Sequence, residues 1–333
     1  MECLSAYARL VSALDAACDS DPLKRVLVQP HDDPDHDAVA SAFGLARLLS
    51  RSGFAPHIRH RGRVRSHSLM AMVSELEIPL ERVHCEGAEK IEDCPCIILD
   101  GSPTYSNAKP LGSPLLGVID HHPNPGLIEC PFVDNRVSYG ACASIVSDYW
   151  KESGWEPDRA CATALLMGIQ MDTDFLSRRV SPADLDAHRR LFFNADWEFS
   201  TSVMKGSLSI DDLPALRLAA QEARIEGGIF FTVIPLDCTQ EVISIMADFF
   251  LRLKEIALTV IVEAGGGRYH VSVRSKTSEL SAAAIVRRAL IGIGRGGGHD
   301  HMAGGVIEPG LYPGEESLLV RFVDAVEAAQ ENQ

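Results

Sequence analysis

Short apolar runs alternate along the first two-thirds of the chain with longer stretches of helical periodicity. Val26-Leu27-Val28, Ile97-Ile98-Leu99 and Leu115 to Ile119 have no polar alternation, the pattern of strands buried on both faces. Between them the spacing predicts a helix from near Ala38 through Ala42, Leu45 and Leu48, and another over 66–78 with Leu69, Met72, Val73 and Leu76 on one face. Further helices are expected at 139–153, 158–171, 182–194 and 211–225. Strands separated by helices predict an α/β fold with a doubly wound parallel sheet. After Gly227-Gly228 the pattern changes. A strand (229–235), a helix (239–254), two strands (258–264 and 268–275), a helix (278–291), a glycine-rich run and a last amphipathic helix (315–329) predict a second, smaller α/β domain. The expected bounds are 1–205 and 227–333, joined through Gly206 and neighbouring serines. The opening residues carry an acidic group at position 2 and helical polar–apolar spacing, which reads as an amphipathic helix rather than a signal peptide.

Composition narrows the class. Of the 333 residues 46% are hydrophobic and 23% charged, as in a globular protein, and no run reaches the roughly 18 apolar residues of a membrane span. Nine cysteines without a repeated spacing predict reduced thiols and a cytoplasmic location. Cys94-Pro95-Cys96 runs straight into a predicted strand and reads as buried or half-buried thiols, not as a zinc site. A formal charge of −15 argues against coating long nucleic acid and leaves room for a small anionic substrate. The stretch 57–67, with Arg59, Arg61, Arg63 and Arg65, is either a solvated strand edge and loop or a basic rim that draws in phosphate.

The chemistry gathers where predicted elements end. His31, Asp35 and Asp37 follow the first strand, Asp100 the second, and Asp120, His121 and His122 the third; Asp172 closes the 158–171 helix. In open α/β sheets ligands bind outside the carboxyl ends of the strands. The plainer alternative makes Asp32, Asp33 and Asp35 turn residues and Asp37 a helix N-cap. A buried helix ending in a carboxylate needs a partner for it, because an unpaired buried charge is expensive. Carboxylates mixed with imidazoles suit Mn²⁺, or Mg²⁺ with less nitrogen ligation, and two such cations would offset the repulsion and activate a hydroxide for attack on phosphorus. Farther on, Gly296-Gly297-Gly298 reads as a loop whose amides approach an anion, beside His299 and Gly304-Gly305. Arg274-Ser275 at a strand end suits a terminal phosphate, or is a surface arginine and its neighbour.

Taken in order, His31-x3-Asp35-x-Asp37, Asp100, Asp120-His121-His122, Asp172 and the GGGH of 296–299 resemble the DHH phosphoesterases over nearly the whole chain. The resemblance implies a catalytic domain followed by a DHH-associated substrate domain, and two Mn²⁺ ions. His31, Asp35 and Asp100 would hold one; Asp37, Asp100, His121 and Asp172 would hold the other. His122 would face the scissile phosphate, with Asp120 supporting the histidines, and Arg274, Ser275, Gly297, Gly298 and His299 would hold the substrate's distal phosphate, sugar or base. Within the family the layout is similar to the oligoribonucleases of very short RNAs. The implied substrates are nano-RNA, linear dinucleotides and nucleotide 3′-phosphates such as 3′-phosphoadenosine-5′-phosphate, with no long duplex nucleic acid and no membrane as partner; a homodimer is compatible with it. Two departures, His36 between the first aspartates and His301-Met302 in the last motif, bear on substrate choice. Alternative readings are hydrolysis of inorganic polyphosphate or pyrophosphate, and a nucleotide-binding regulatory module without activity.

Overall fold

The computed structural model describes residues 4–64, 66–83, 92–105, 108–124, 126–206, 208–265, 267 and 269–331. The expectations for Glu2, Arg65 and Arg268 lie outside these. The chain divides into two units, Met1–Gly206 and Ser207–Gln333.

In the first unit the helices are α1 (Ala6–Ala17), α2 (His36–Arg51), α3 (His67–Glu75), α4 (Cys142–Ser153), α5 (Arg159–Asp172), α6 (Pro182–Phe192) and α7 (Trp197–Lys205). The strands are β1 (Arg25–Pro30), β2 (Ala55–His60), β3 (Leu80–Arg82), β4 (Cys96–Leu99), β5 (Leu115–Asp120) and β6 (Phe132–Asn135). They form one sheet in the order β3-β2-β1-β4-β5-β6, with every pairing parallel. The sheet is doubly wound as its apolar runs predict: Val26 and Val28 join the large core under α2, α4 and α5, while Leu27 joins a smaller cluster on the opposite face with Ile98 and Leu111. Strand order reverses between β1 and β4, so the crevice beyond their carboxyl ends is the place where such a fold binds ligands.

Two expectations needed adjustment here. Helix α2 starts at His36, and its N-cap is Asp35, whose carboxylate accepts the Ala38 N–H at 3.0 Å. Asp37 therefore sits inside the first turn and is freed for another role. Strand β6 and helix α7 were not read from the sequence. The apolar content of β6 is only Phe132-Val133, too short to stand out from loop.

The second unit has α8 (Leu213–Gln221), α9 (Gln240–Leu251), α10 (Ala282–Ala289) and α11 (Glu315–Glu331). Its strands are β7 (Arg224–Glu226), β8 (Ile229–Ile234), β9 (Leu258–Glu263), β10 (Tyr269–Ser275), β11 (Gly294–Gly298) and β12 (Met302–Ile307), ordered β11-β12-β10-β9-β8-β7. Only β8 and β9 pair in parallel among the described strands of this sheet. Helices α10 and α11 cover one face, α8 and α9 the other, and each face has its own core.

The glycine-rich run is not a loop. Gly294–Gly298 is the edge strand β11, paired residue for residue with β12. Packing explains it: a Cβ on Gly296 would lie 2.9 Å from Val286, and one on Gly305 would lie 2.5 Å from Leu290. Both valine and leucine belong to the α10 side, so these glycines let the helix lie close against the sheet. Gly297, on the opposite face, has nothing within 4 Å of its missing Cβ.

Candidate metal centre

Asp100 follows the last residue of β4 in the left-handed region, at φ +53, a backbone strain tolerated where a side chain must be aimed. Its carboxylate is buried, with Oδ2 3.8 Å from His31 Nε2 and Oδ1 3.2 Å from His121 Nε2. His121 Nε2 is in turn 3.4 Å from Asp172 Oδ2 and 3.9 Å from Asp37 Oδ2. Asp35 Oδ1 stands 4.0 Å from His31 on the more exposed side. The donors thus fall into two groups, His31–Asp35–Asp100 and Asp37–His121–Asp172, joined through the Asp100–His121 contact. All six ligand candidates from the sequence meet in the first unit.

Each histidine is pinned through one ring nitrogen. Nδ1 of His31 donates to the Asp32 carbonyl at 2.8 Å and Nδ1 of His121 to the Tyr139 carbonyl at 3.2 Å, so the proton is on Nδ1 and Nε2 is the lone-pair donor. Tyr139 is itself fixed, its hydroxyl donating to Asp148 and receiving Arg136. His122 Nδ1 lies 2.8 Å from Asp120 Oδ1, which also accepts the backbone N–H groups of His121 and His122. Asn135 Nδ2 donates to the His122 carbonyl from β6. Asp134, which pairs with Arg136 at 2.8 Å, Asn135 and Arg136 are supporting residues that the sequence reading missed, and the polar cluster before the expected 139–153 helix was the available signal; Tyr139, expected inside that helix, precedes α4, which starts at Cys142.

Asp37 caps a helix other than its own. The N–H groups of Cys142 and Ala143 donate to its two oxygens at 2.6 and 2.8 Å, at the start of α4, whose N-cap Ala141 has no side chain to do so. Gly168 of α5 leaves room for this carboxylate: a Cβ there would stand 2.9 Å from Asp37 Oδ1. His36 does not reach solvent; it is buried and lies 2.8 Å from the Ser68 hydroxyl of α3.

Charge decides whether cations fit. Burial, then the neighbouring carboxylates, push the protonation of Asp37 and Asp172 well above the usual carboxylate range, with Arg179 opposing this at Asp172. Burial would raise Asp100 as well, but His121, His122 and His31 overcome it and hold its carboxyl low. His122 loses by burial and gains more from Asp120 and Asp100, and is pushed up to about 9. Asp100 Oδ1, though buried, accepts no well-aligned hydrogen bond from the described residues. Three buried carboxylates facing imidazole lone pairs are an oxygen-rich set with nitrogen ligands that divalent cations satisfy.

Two arginines of the basic stretch are committed within the fold. Arg59 pairs with Glu81 and Glu92, and Arg61 donates to the Lys109 carbonyl. In the second unit, Arg274 is buried against Asp248 of α9 at 3.1 Å, so it is not a surface arginine, and the Ser275 hydroxyl donates to the Thr277 carbonyl at 2.9 Å. The hairpin turn carrying His299 and His301 adjoins them, the Ser275 N–H donating to the His301 carbonyl. Gly297 and Gly304 form an open patch beside Gln240 and His270, and Gly298 closes β11 at φ +137.

Two family models match in succession: the DHH family N-terminal domain over residues 25–169 and the DHHA1 domain over 226–332. The chain belongs to the DHH family. An uncharacterized protein of Methanocaldococcus jannaschii is 31% identical to this DHH protein over 308 residues, 91% of the chain. The chain spans 63% of that relative's length. A crystal structure of an exopolyphosphatase-related protein from Bacteroides fragilis shares the fold, with TM-score 0.76, 15% identity, and 96% of this chain and 97% of that chain covered. Among the described residues no helix of the DHH protein is long and apolar enough to cross a membrane.

Proposed function

We propose that this DHH protein is a manganese-dependent phosphoesterase that hydrolyses short oligonucleotides, linear dinucleotides and nucleotide 3′-phosphates such as 3′-phosphoadenosine-5′-phosphate. The observation that carries it is the meeting of donors from four separated segments at the switch point, with Asp100 and His121 in contact where the two groups join. His31, Asp35 and Asp100 would hold one Mn²⁺, and Asp37, Asp100, His121 and Asp172 the other; Mg²⁺ is the harder substitute. When bound, the pair supplies an acidified water and neutralises charge on the phosphoryl oxygens. The chain's own part is orientation and proton supply. Asp120 fixes His122 through Nδ1 and its charge favours the protonated ring, whose Nε2–H would donate to the departing oxygen. In the DHHA1 domain, Arg274, Ser275, Gly297, Gly298 and His299 would receive the distal phosphate and sugar; Asp248 holds the guanidinium in place, and the open face at Gly297 admits a ligand close to the backbone.

A second reading, hydrolysis of inorganic polyphosphate or pyrophosphate by the same residues, draws on the scarcity of aromatic rings, 6% of the chain, for stacking a base. An inactive binding module is disfavoured because every ligand position is filled. One panel separates these: a labelled RNA dinucleotide, 3′-phosphoadenosine-5′-phosphate and polyphosphate, each with EDTA and then Mn²⁺. We expect activity on the nucleotide substrates only with metal, and a loss of about 10³-fold in Asp100→Ala, corresponding to about 4 kcal/mol. Turnover of polyphosphate alone would select the second reading, and activity unaffected by Asp100→Ala would refute both.

A further inference from the structure

A second cluster of metal-ligating atoms lies at the other end of the same sheet. His57 is the third residue of β2, Cys94 precedes β4 by two residues, and Glu92 is fixed between them by its bridge to Gly112. His57 Nε2 stands 3.2 Å from Glu92 Oε2, and Cys94 Sγ stands 3.9 Å from both atoms. Along β4, Cys94 and Asp100 are six residues apart, about 20 Å at strand rise, so this cluster shares no donor with the catalytic groups.

We propose that His57, Glu92 and Cys94 form a zinc site, with water as the fourth ligand. A tetrahedral Zn²⁺ with nitrogen and oxygen near 2.0–2.1 Å and sulfur near 2.3 Å separates its ligands by about 3.3–3.6 Å. The observed triangle matches the nitrogen–oxygen edge and exceeds the sulfur edges by a few tenths of an ångström. Rotation of His57 and Glu92, whose side chains are 29% and 25% exposed, closes that gap, and the same exposure admits the ion and its water. Arg59 binds the other oxygen of Glu92 and turns Oε2 toward His57. The Leu27 N–H holds the Pro95 carbonyl at 2.8 Å and fixes the backbone beside Cys94. Its neighbour Cys96 points inward, its thiol donating to Gln29 Oε1, so the Cys-Pro-Cys segment offers one sulfur and not two. A thiolate among the donors selects zinc over the manganese suited to the oxygen-rich centre. On binding, the Cys94 thiol releases its proton to solvent and sulfur donates an electron pair to the metal.

Cobalt reports on this sulfur directly. The full chain, reduced and stripped of metal, is titrated with Co²⁺ and followed for the thiolate-to-cobalt charge-transfer band in the near ultraviolet. We expect a band that is displaced by Zn²⁺ and saturates within three equivalents, because the oxygen-rich centre also takes up Co²⁺ but has no thiolate to contribute to the band. It should vanish in Cys94→Ser, weaken more than about 100-fold in apparent affinity in His57→Ala, and persist in Asp37→Asn. No band in the wild-type protein would overturn the proposal, as would a band undiminished in Cys94→Ser, which would place the thiolate elsewhere. If Cys94→Ser fails to fold by circular dichroism, the partly exposed His57→Ala carries the test, and wild-type affinity in that variant overturns the site.

Discussion

Asp37 shows how one carboxylate can cap a helix and stand in a candidate metal centre at once. Its oxygens complete the N-terminus of α4 while facing His121 across 3.9 Å, so its charge is supported by amides and opposed by burial and by Asp100. This has a consequence for stability. In the metal-free protein the folded-state pKa values of Asp37 and Asp172 are raised, so the folded form binds protons that the unfolded form has already lost. Their contribution is complete below the ordinary carboxylate range and is lost as pH rises through the folded values. His31 and His122, also raised, act in the same direction at higher pH, up to about 9 for His122. Asp100 is held low, so its contribution is present above the ordinary carboxylate range and is lost as pH falls below it. These raised groups should make the melting temperature in EDTA fall from above the ordinary carboxylate range up to about pH 9, opposed only around the ordinary histidine range by His60 and His188, which burial holds low, and the gain on adding Mn²⁺ should grow as the ligands deprotonate. A melting temperature in EDTA that rises across this window would contradict the charge balance described for the centre.

At the scale of elements, period and position separate what the sequence carries from what it hides. Apolar runs without alternation made β1, β4 and β5 legible, and the groups just beyond them came with the strands. Asp172 was legible because an alanine- and leucine-rich helix seldom ends in carboxylates unaided. What stayed hidden depends on partners distant in sequence: Asp37 reaching the amides of α4, Tyr139 offering its carbonyl to His121, and β6 held by pairing to β5 rather than by its own apolar content. The glycine run was misread because a glycine carries no pattern; only the packing of α10 tells a strand from a loop there. That distinction is testable by paired substitutions. Gly305→Ala places a methyl 2.5 Å from Leu290 and should destabilise the DHHA1 domain by about 1–3 kcal/mol in urea unfolding. Gly297→Ala enters open space and should leave stability within about 0.5 kcal/mol, while weakening a substrate that approaches that face. Equal destabilisation by both would mean that the glycines serve the strand alone.

For the whole molecule, charge limits what can be bound. With 31 basic against 46 acidic residues, the chain carries −15 and on balance repels an extended polyanion, while cations can reverse the field locally. Two of the arginines that could have formed a basic track, Arg59 and Arg61, are committed to Glu81, Glu92 and the Lys109 carbonyl. A protein that neutralises six to ten phosphates loses about 10³–10⁵ in affinity between roughly 50 and 200 mM salt, because each contact releases counterions. Here the few phosphates of a dinucleotide would meet metal and one or two cationic side chains, so far fewer ions are released. We expect kcat/KM on an RNA dinucleotide to fall less than about tenfold over that salt range, and a long single strand to be a much poorer substrate at every salt concentration. Comparable rates on the long strand, or a steep salt dependence on the dinucleotide, would mean that other basic side chains, such as Arg63 and Arg82 beside His60, form a cationic track, and would move the substrate assignment toward long nucleic acid.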